Sequence, residues 1–112
     1  MSEKKKTYLA LQKVREFIAE QSEESQIEYL NLVERLEQDG YLIQPFAKKL
    51  DTDLFEIRIR KNKQIRVFYF YHEKDYIFGV HAFLKKTQKT PKQEIKQAKA
   101  IVSKIKRGEY NE

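Results

Sequence analysis

Apolar residues along this 112-residue chain change their spacing as the sequence proceeds. Val14, Phe17 and Ile18 within residues 13–21, and then Tyr29, Leu32, Val33 and Leu36, recur every three or four positions, which is the stripe of an amphipathic helix. The polar break at residues 22–25 separates them, so the pattern predicts a helical hairpin. Ser25 followed three residues later by Glu28 is a capping-box signal for the second helix, and Gly40 is its expected stop. From Tyr41 onward the spacing becomes alternating. Leu42, Phe46 and Leu50 anchor a connecting segment turned at Gln44-Pro45. Residues 54–60 then set Phe55, Ile57 and Ile59 against Glu56, Arg58 and Arg60, as a half-buried strand does. Two further strands are predicted at residues 65–71 and 76–84, and their short polar separators favour consecutive antiparallel hairpins. Thr90-Pro91 with Gln93 predicts the capped start of a last helix whose apolar face is Ile95, Ala98, Val102 and Ile105 and whose end is Gly108. Residues 8–11 are compatible with an edge strand or a helix start, and residues 1–6 are expected to be disordered.

The fold class that follows is α+β. A helical hairpin packs on an antiparallel sheet of three to four strands, a C-terminal helix comes last, and residues 1–112 are expected to form a single domain, well within the size of one core.

Charge adds an asymmetry to this layout. The formal net charge is +6, yet residues 1–40 carry net −3 and residues 41–112 carry net +9. A field of that kind favours phosphate polymers, acidic proteins or anionic lipid. Cysteine is absent, which removes disulfides and thiolate metal sites, and the sequence offers two histidines, His72 and His81, and no compact carboxylate or cysteine cluster with ligand spacing. That composition agrees with a protein that uses no metal and no cofactor. No apolar run approaches the roughly 20 residues of a spanning helix, and the first residues are polar. A cytoplasmic protein with no membrane partner is the expectation.

Strand register concentrates the charge. A hairpin turned at residues 61–63 pairs Ile59 with Ile65, Ile57 with Val67 and Phe55 with Tyr69, so the reverse face brings Arg58 opposite Arg66. A turn at residues 72–75 is expected to pair Tyr69 with Phe78, Val67 with Val80 and Ile65 with Ala82, which places His81 opposite Arg66. One face is then apolar and the other carries Arg58, Arg66 and His81 in a row, continued by Lys85. Like charges directly opposite each other destabilise a sheet unless something offsets them, and two offsets are open: a bridging carboxylate such as Glu56, or an anionic ligand. The guanidinium fork suits phosphate oxygens. Phe68 and Phe70 share the parity of Arg66, either as a stacking platform for splayed bases or as the seal of a second small core. The run of residues 85–91 enters a helix N-terminus, where free N–H groups favour anions.

Leu54-Phe55-Glu56-Ile57-Arg58, Ile65-Arg66-Val67-Phe68-Tyr69 and the stretch from His81 through Ala82, Phe83, Leu84, Lys85, Lys86, Thr87, Gln88, Lys89 and Thr90 to Pro91 together resemble a HigB-type toxin, a branch of the RelE toxin superfamily often found as phage-derived proteins. The similarity spans residues 40–108. The resemblance implies a RelE-like fold, a type II toxin-antitoxin system, ribosome-dependent cleavage of mRNA without metal, and neutralisation by a helix-turn-helix antitoxin. By position, Arg66 corresponds to the toxin arginine on the central strand, and Lys85 and Lys86 to the basic stretch after the last strand. Ala82 departs from the glycine of many relatives, and the first strand is less distinct than theirs.

The catalytic candidates are accordingly Arg58, Arg66, His81, Lys85 and Lys86. Lys48, Lys49, Arg60, Phe68 and Lys89 are the expected RNA contacts. The competing readings are a non-catalytic RNA- or DNA-binding module using the same face, and a protein-interaction domain of phage origin.

Overall fold

The computed structural model describes residues 3–112. Among these, five strands and three helices follow the order β1 (Thr7–Ala10), α1 (Gln12–Ala19), α2 (Glu23–Asp39), β2 (Ala47–Asp51), β3 (Leu54–Ile59), β4 (Ile65–His72), β5 (Tyr76–Leu84) and α3 (Lys92–Lys106). The strands form one sheet in the order β1-β5-β4-β3-β2. This α+β architecture differs in detail from the expected three or four antiparallel strands. The connecting segment contributes β2, and residues 7–10 form β1, which runs parallel to β5 and makes the sheet mixed. Lys5 and Lys6 both donate their backbone N–H to the Glu37 carbonyl, so this part of the segment expected to be disordered is tied to the end of α2, while residues 1 and 2 lie outside the described residues.

Both helices of the hairpin lie on one face of the sheet. Val14 and Ile18 of α1 and Tyr29, Leu32 and Leu36 of α2 are buried against Ile57, Ile59, Ile65, Val67, Tyr69 and Ile77. The start of α2 differs from expectation. Its N-cap is Ser22, whose hydroxyl accepts from the Ser25 N–H at 3.1 Å, and Glu23 and Glu24 place negative charge at the positive end of the helix dipole. Glu28 instead accepts from the backbone N–H groups of Arg60 and Lys61, anchoring the β3–β4 turn. Gly40 ends α2 at φ +83°, a left-handed conformation that a Cβ would strain.

The opposite face holds a second core. Leu54, Phe68, Phe70, Val80 and Phe83 are buried beneath Ala98 and Val102 of α3, with Ile95 and Ile105 packed at the sides. Every residue of β4 from Ile65 to Phe70 is buried, because the strand is central and covered on both sides. Pro91 is the N-cap residue of α3 and no side chain caps it, so the expected Thr90–Gln93 box does not form.

The β3–β4 register matches the expectation at every pair, including Arg58 with Arg66. The β4–β5 register does not. Tyr69 pairs with Gly79, Val67 with Ala82 and Ile65 with Leu84. His72 pairs with Tyr76, which leaves a turn of residues 73–75 with Glu73 at φ +58°. Between Phe68/His81 and Tyr69/Gly79, β5 carries one extra residue, Val80. This bulge turns Val80 and His81 toward the same side, so Phe78 and Val80 before it and Phe83 after it can all meet α3.

Candidate nucleic-acid interface

Three rows of side chains cross the face that carries α3. Lys48, Glu56, Phe68 and His81 stand in register across β2, β3, β4 and β5. In the next row Arg58 faces Arg66, and Arg66 faces Phe83. Beyond it, the Lys85 N–H donates to the Gln64 carbonyl at 2.7 Å, bringing the end of β5 beside the start of β4. The α3 helix covers the aromatic part of this face. Arg58, Arg66 and Lys85 lie at its open end.

Glu56 is at the centre of the cluster and is 0% exposed. Its Oε2 accepts from Arg58 Nε at 3.1 Å, and its Oε1 accepts from the Thr90 hydroxyl at 3.2 Å and lies 3.8 Å from Arg66 Nε. The bridging carboxylate, one of the two offsets open for the arginine pair, is therefore present. It does not satisfy Arg66 fully. Arg66 is 5% exposed, its Nη1 donates to the Ile65 carbonyl at 3.1 Å, and its Nε is buried with no hydrogen-bond partner. A buried charged donor without an acceptor is costly, and the Glu56 carboxylate at 3.8 Å offsets the charge of Arg66 only in part.

The electrostatics point the same way. Burial pulls the Arg66 guanidinium below its ordinary value, Glu56 holds it up, and Arg58 and Arg60 pull it further down. For Lys85, burial is again the largest cause of a lowered value, followed by the Arg66 charge, with Glu56 opposing and Arg58 and Lys48 adding to the fall. Lys48, Arg58, Arg60, Arg66 and Lys85 thus share one field around a single buried carboxylate. Such a field selects an anion.

Residues 16–103 match the model of a family described as phage derived protein Gp49-like (DUF891). The chain belongs to this family. Gp49-like proteins are RelE/toxin-like, and the matched region contains all five cations as well as Glu56 and Thr90. A search of the curated proteins finds no match.

Within this Gp49-like chain the expected site residues divide. Arg58, Arg66 and Lys85 come together, with Lys48 and Arg60 at the margin. Lys86 and Lys89 are exposed on the segment between β5 and α3. Lys49 points to the other face, where its ammonium lies 5.9 Å from the Phe55 ring centroid. Two expectations are corrected. Phe68 is fully buried under α3 and touches no solvent, so it is core and not a stacking platform. His81 faces Phe68 and not Arg66, because the β4–β5 turn is one residue shorter than expected and β5 then bulges at Val80, and its Nε2 lies 2.5 Å from Glu94 Oε1 on the first turn of α3. His81 is 9% exposed, and its ring is flanked by Phe68 and Phe83 at 5.9 and 5.7 Å between ring centroids. It ties the sheet to α3 beside the site.

Glu56 and Thr90 were not among the expected site residues. A signal for Glu56 existed in its parity with Arg58 two positions on. Thr90 gave none, since its approach to Glu56 depends on the path of residues 85–91 across the face.

Proposed function

We propose that this Gp49-like chain is a HigB-like toxin that cleaves mRNA on the ribosome, and that a helix-turn-helix antitoxin neutralises it. The observation that carries this reading is the pair Arg58 and Arg66, set opposite each other around one buried carboxylate with Lys85 alongside. In the proposed reaction the 2′-oxygen of one nucleotide gives up its proton and attacks the adjacent phosphorus, the bond to the 5′-oxygen of the next nucleotide breaks, that oxygen takes a proton from water, and a cyclic phosphate and a 5′-hydroxyl result. Arg58 and Arg66 donate to the phosphoryl oxygens, whose negative charge grows in the transition state. Lys85, with its lowered proton affinity, holds a larger neutral fraction near neutral pH than a solvated lysine and takes the 2′-proton. Lys86 and Lys89, on the exposed segment, steer the strand. His81 is assigned to positioning α3, since Glu94 already engages it. Reaction on translating ribosomes would place the protein in the cytoplasm.

Induced expression in bacteria is expected to arrest growth and to cut messages that are being translated. Arg66→Ala should relieve the arrest, with cleavage falling about a hundredfold or more, the usual cost of removing a transition-state donor. Harmless expression of the wild type, or equal arrest by the variant, would sink this reading. The engagement of His81 by Glu94 favours a second one, a non-catalytic RNA-binding module, because it leaves no free imidazole beside the arginines. Tight RNA binding together with unimpaired growth would select it.

A further inference from the structure

Burying a carboxylate is expensive unless charge and hydrogen bonds surround it, and nothing in the packing of the second core requires one at position 56. Glu56 is nevertheless fully buried, between Lys48 and Phe68 in register, and both its oxygens are engaged. Oε2 takes the Nε–H of Arg58, whose side chain is 23% exposed. Oε1 takes the hydroxyl of Thr90, the residue before Pro91, which caps α3. One carboxylate therefore joins the central sheet to the far end of residues 85–91.

We propose that Glu56 is a positioning residue: it holds the Arg58 guanidinium and, through Thr90, the segment that follows Lys85 in the arrangement that receives the phosphate. This role rests on the RNA-cleaving reading for its purpose, though not for its geometry. A carboxylate that water does not reach, with both oxygens occupied, does not exchange protons with a substrate. It acts through the groups it holds. Its field also bears on Lys85, whose neighbours are Arg66 of β4, Glu56 and Arg58 of β3 and Lys48 of β2. Glu56 is the one negative charge in that set.

Two measurements on the full chain test the role without requiring turnover. In the first, an amine-reactive reagent labels the lysines across a pH series, and mass spectrometry reads the labelling midpoint of Lys85 in the wild type and in Glu56→Gln. Glutamine keeps the shape and removes the charge that supports the Lys85 proton. The midpoint should fall by about half a pH unit or more, while that of Lys49, on the other face, stays in place. An unchanged or raised midpoint would mean that Glu56 does not sit against Lys85 as the structure has it, and overturns the proposal. The second measurement uses Thr90→Val, which deletes one hydroxyl and keeps the volume. Amide hydrogen exchange in residues 86–90 should speed up several-fold while the exchange of β4 is unaltered; unchanged exchange in the segment overturns the link, and this variant decides the matter if Glu56→Gln does not fold. If the wild type cleaves message, Glu56→Gln should lose kcat by about tenfold or more with little change in KM, and a loss confined to KM counts against positioning. An inactive wild type that still shows both the Lys85 shift and the Thr90 effect supports the positioning role while removing the catalytic reading.

Discussion

At the scale of single residues, Gly79 of β5 and Tyr8 of β1 constrain each other. A Cβ at position 79 would overlap the Tyr8 hydroxyl and come within 2.8 Å of its ring carbon Cζ. The ring cannot move away freely. Tyr29 donates a hydrogen bond to the Tyr8 hydroxyl at 2.9 Å, and the two rings meet edge to face at 6.2 Å. Burial, followed by the influence of Tyr29 and Tyr69, pushes the Tyr8 phenol well above its ordinary value, so the hydroxyl stays neutral and keeps its hydrogen bond at working pH. Gly79→Ala is therefore expected to cost about 1–3 kcal/mol in urea unfolding, the usual range for overpacking a filled site. Tyr8→Phe removes the overlapping oxygen, and the double variant should be more stable than the sum of the two single losses. Additivity within about 0.5 kcal/mol would show that the two sites do not clash.

Elements are set by shorter-range rules, and α2 shows which of them win. Ser22 and Ser25 both stand before an apolar stripe, and the Ser25–Glu28 spacing is the better capping-box match. The helix nevertheless begins at Glu23, because Ser22 can cap it, Ser25 is needed inside the first turn, and Glu28 is drawn off to the β3–β4 turn. Ser22→Ala is expected to destabilise the fold by about 1 kcal/mol, seen as a lower urea midpoint with an unchanged slope; a neutral result would mean that the hydroxyl does not cap α2. The sheet follows the same logic. The β3–β4 register was legible because β3 alternates cleanly, so only one pairing puts Phe55, Ile57 and Ile59 on a common face, and this alone brought Arg58 opposite Arg66. The β4–β5 register was not, since β4 is apolar on both faces and offers no contrast to fix its partner. The bulge at Val80 left no mark that a pattern could show. For the same reason Phe68 could equally have been platform or core, and only the placement of α3 decides that it is core.

For the molecule as a whole, the charge asymmetry of the chain becomes an asymmetry of surfaces. β1, α1 and α2 all come from the acidic first part of the chain, and both helices pack on one face of the sheet, while Arg58, Arg66 and Lys85 lie on the other. A single RNA strand is expected to bind on the cationic face and to release counterions there. With three to five phosphate contacts, the logarithm of affinity should fall with the logarithm of salt at a slope of about −2 to −3.5, since each contact on a single strand contributes about −0.7. Between 50 and 200 mM salt that amounts to a loss of roughly ten- to a hundredfold. Fluorescence anisotropy with a short labelled RNA measures it. Arg60 allows a clean local test because its side chain is exposed, so Arg60→Gln leaves the cores untouched and should flatten the slope by about one contact. Glu34→Lys, on exposed α2, adds positive charge on the side away from the cluster and should leave the slope unchanged. A slope near zero in the wild type, or equal effects from the two substitutions, would mean that RNA does not read the Arg58–Arg66 face. If instead Arg60→Gln alone changes the slope, the net charge of the chain matters less than where the fold has put it.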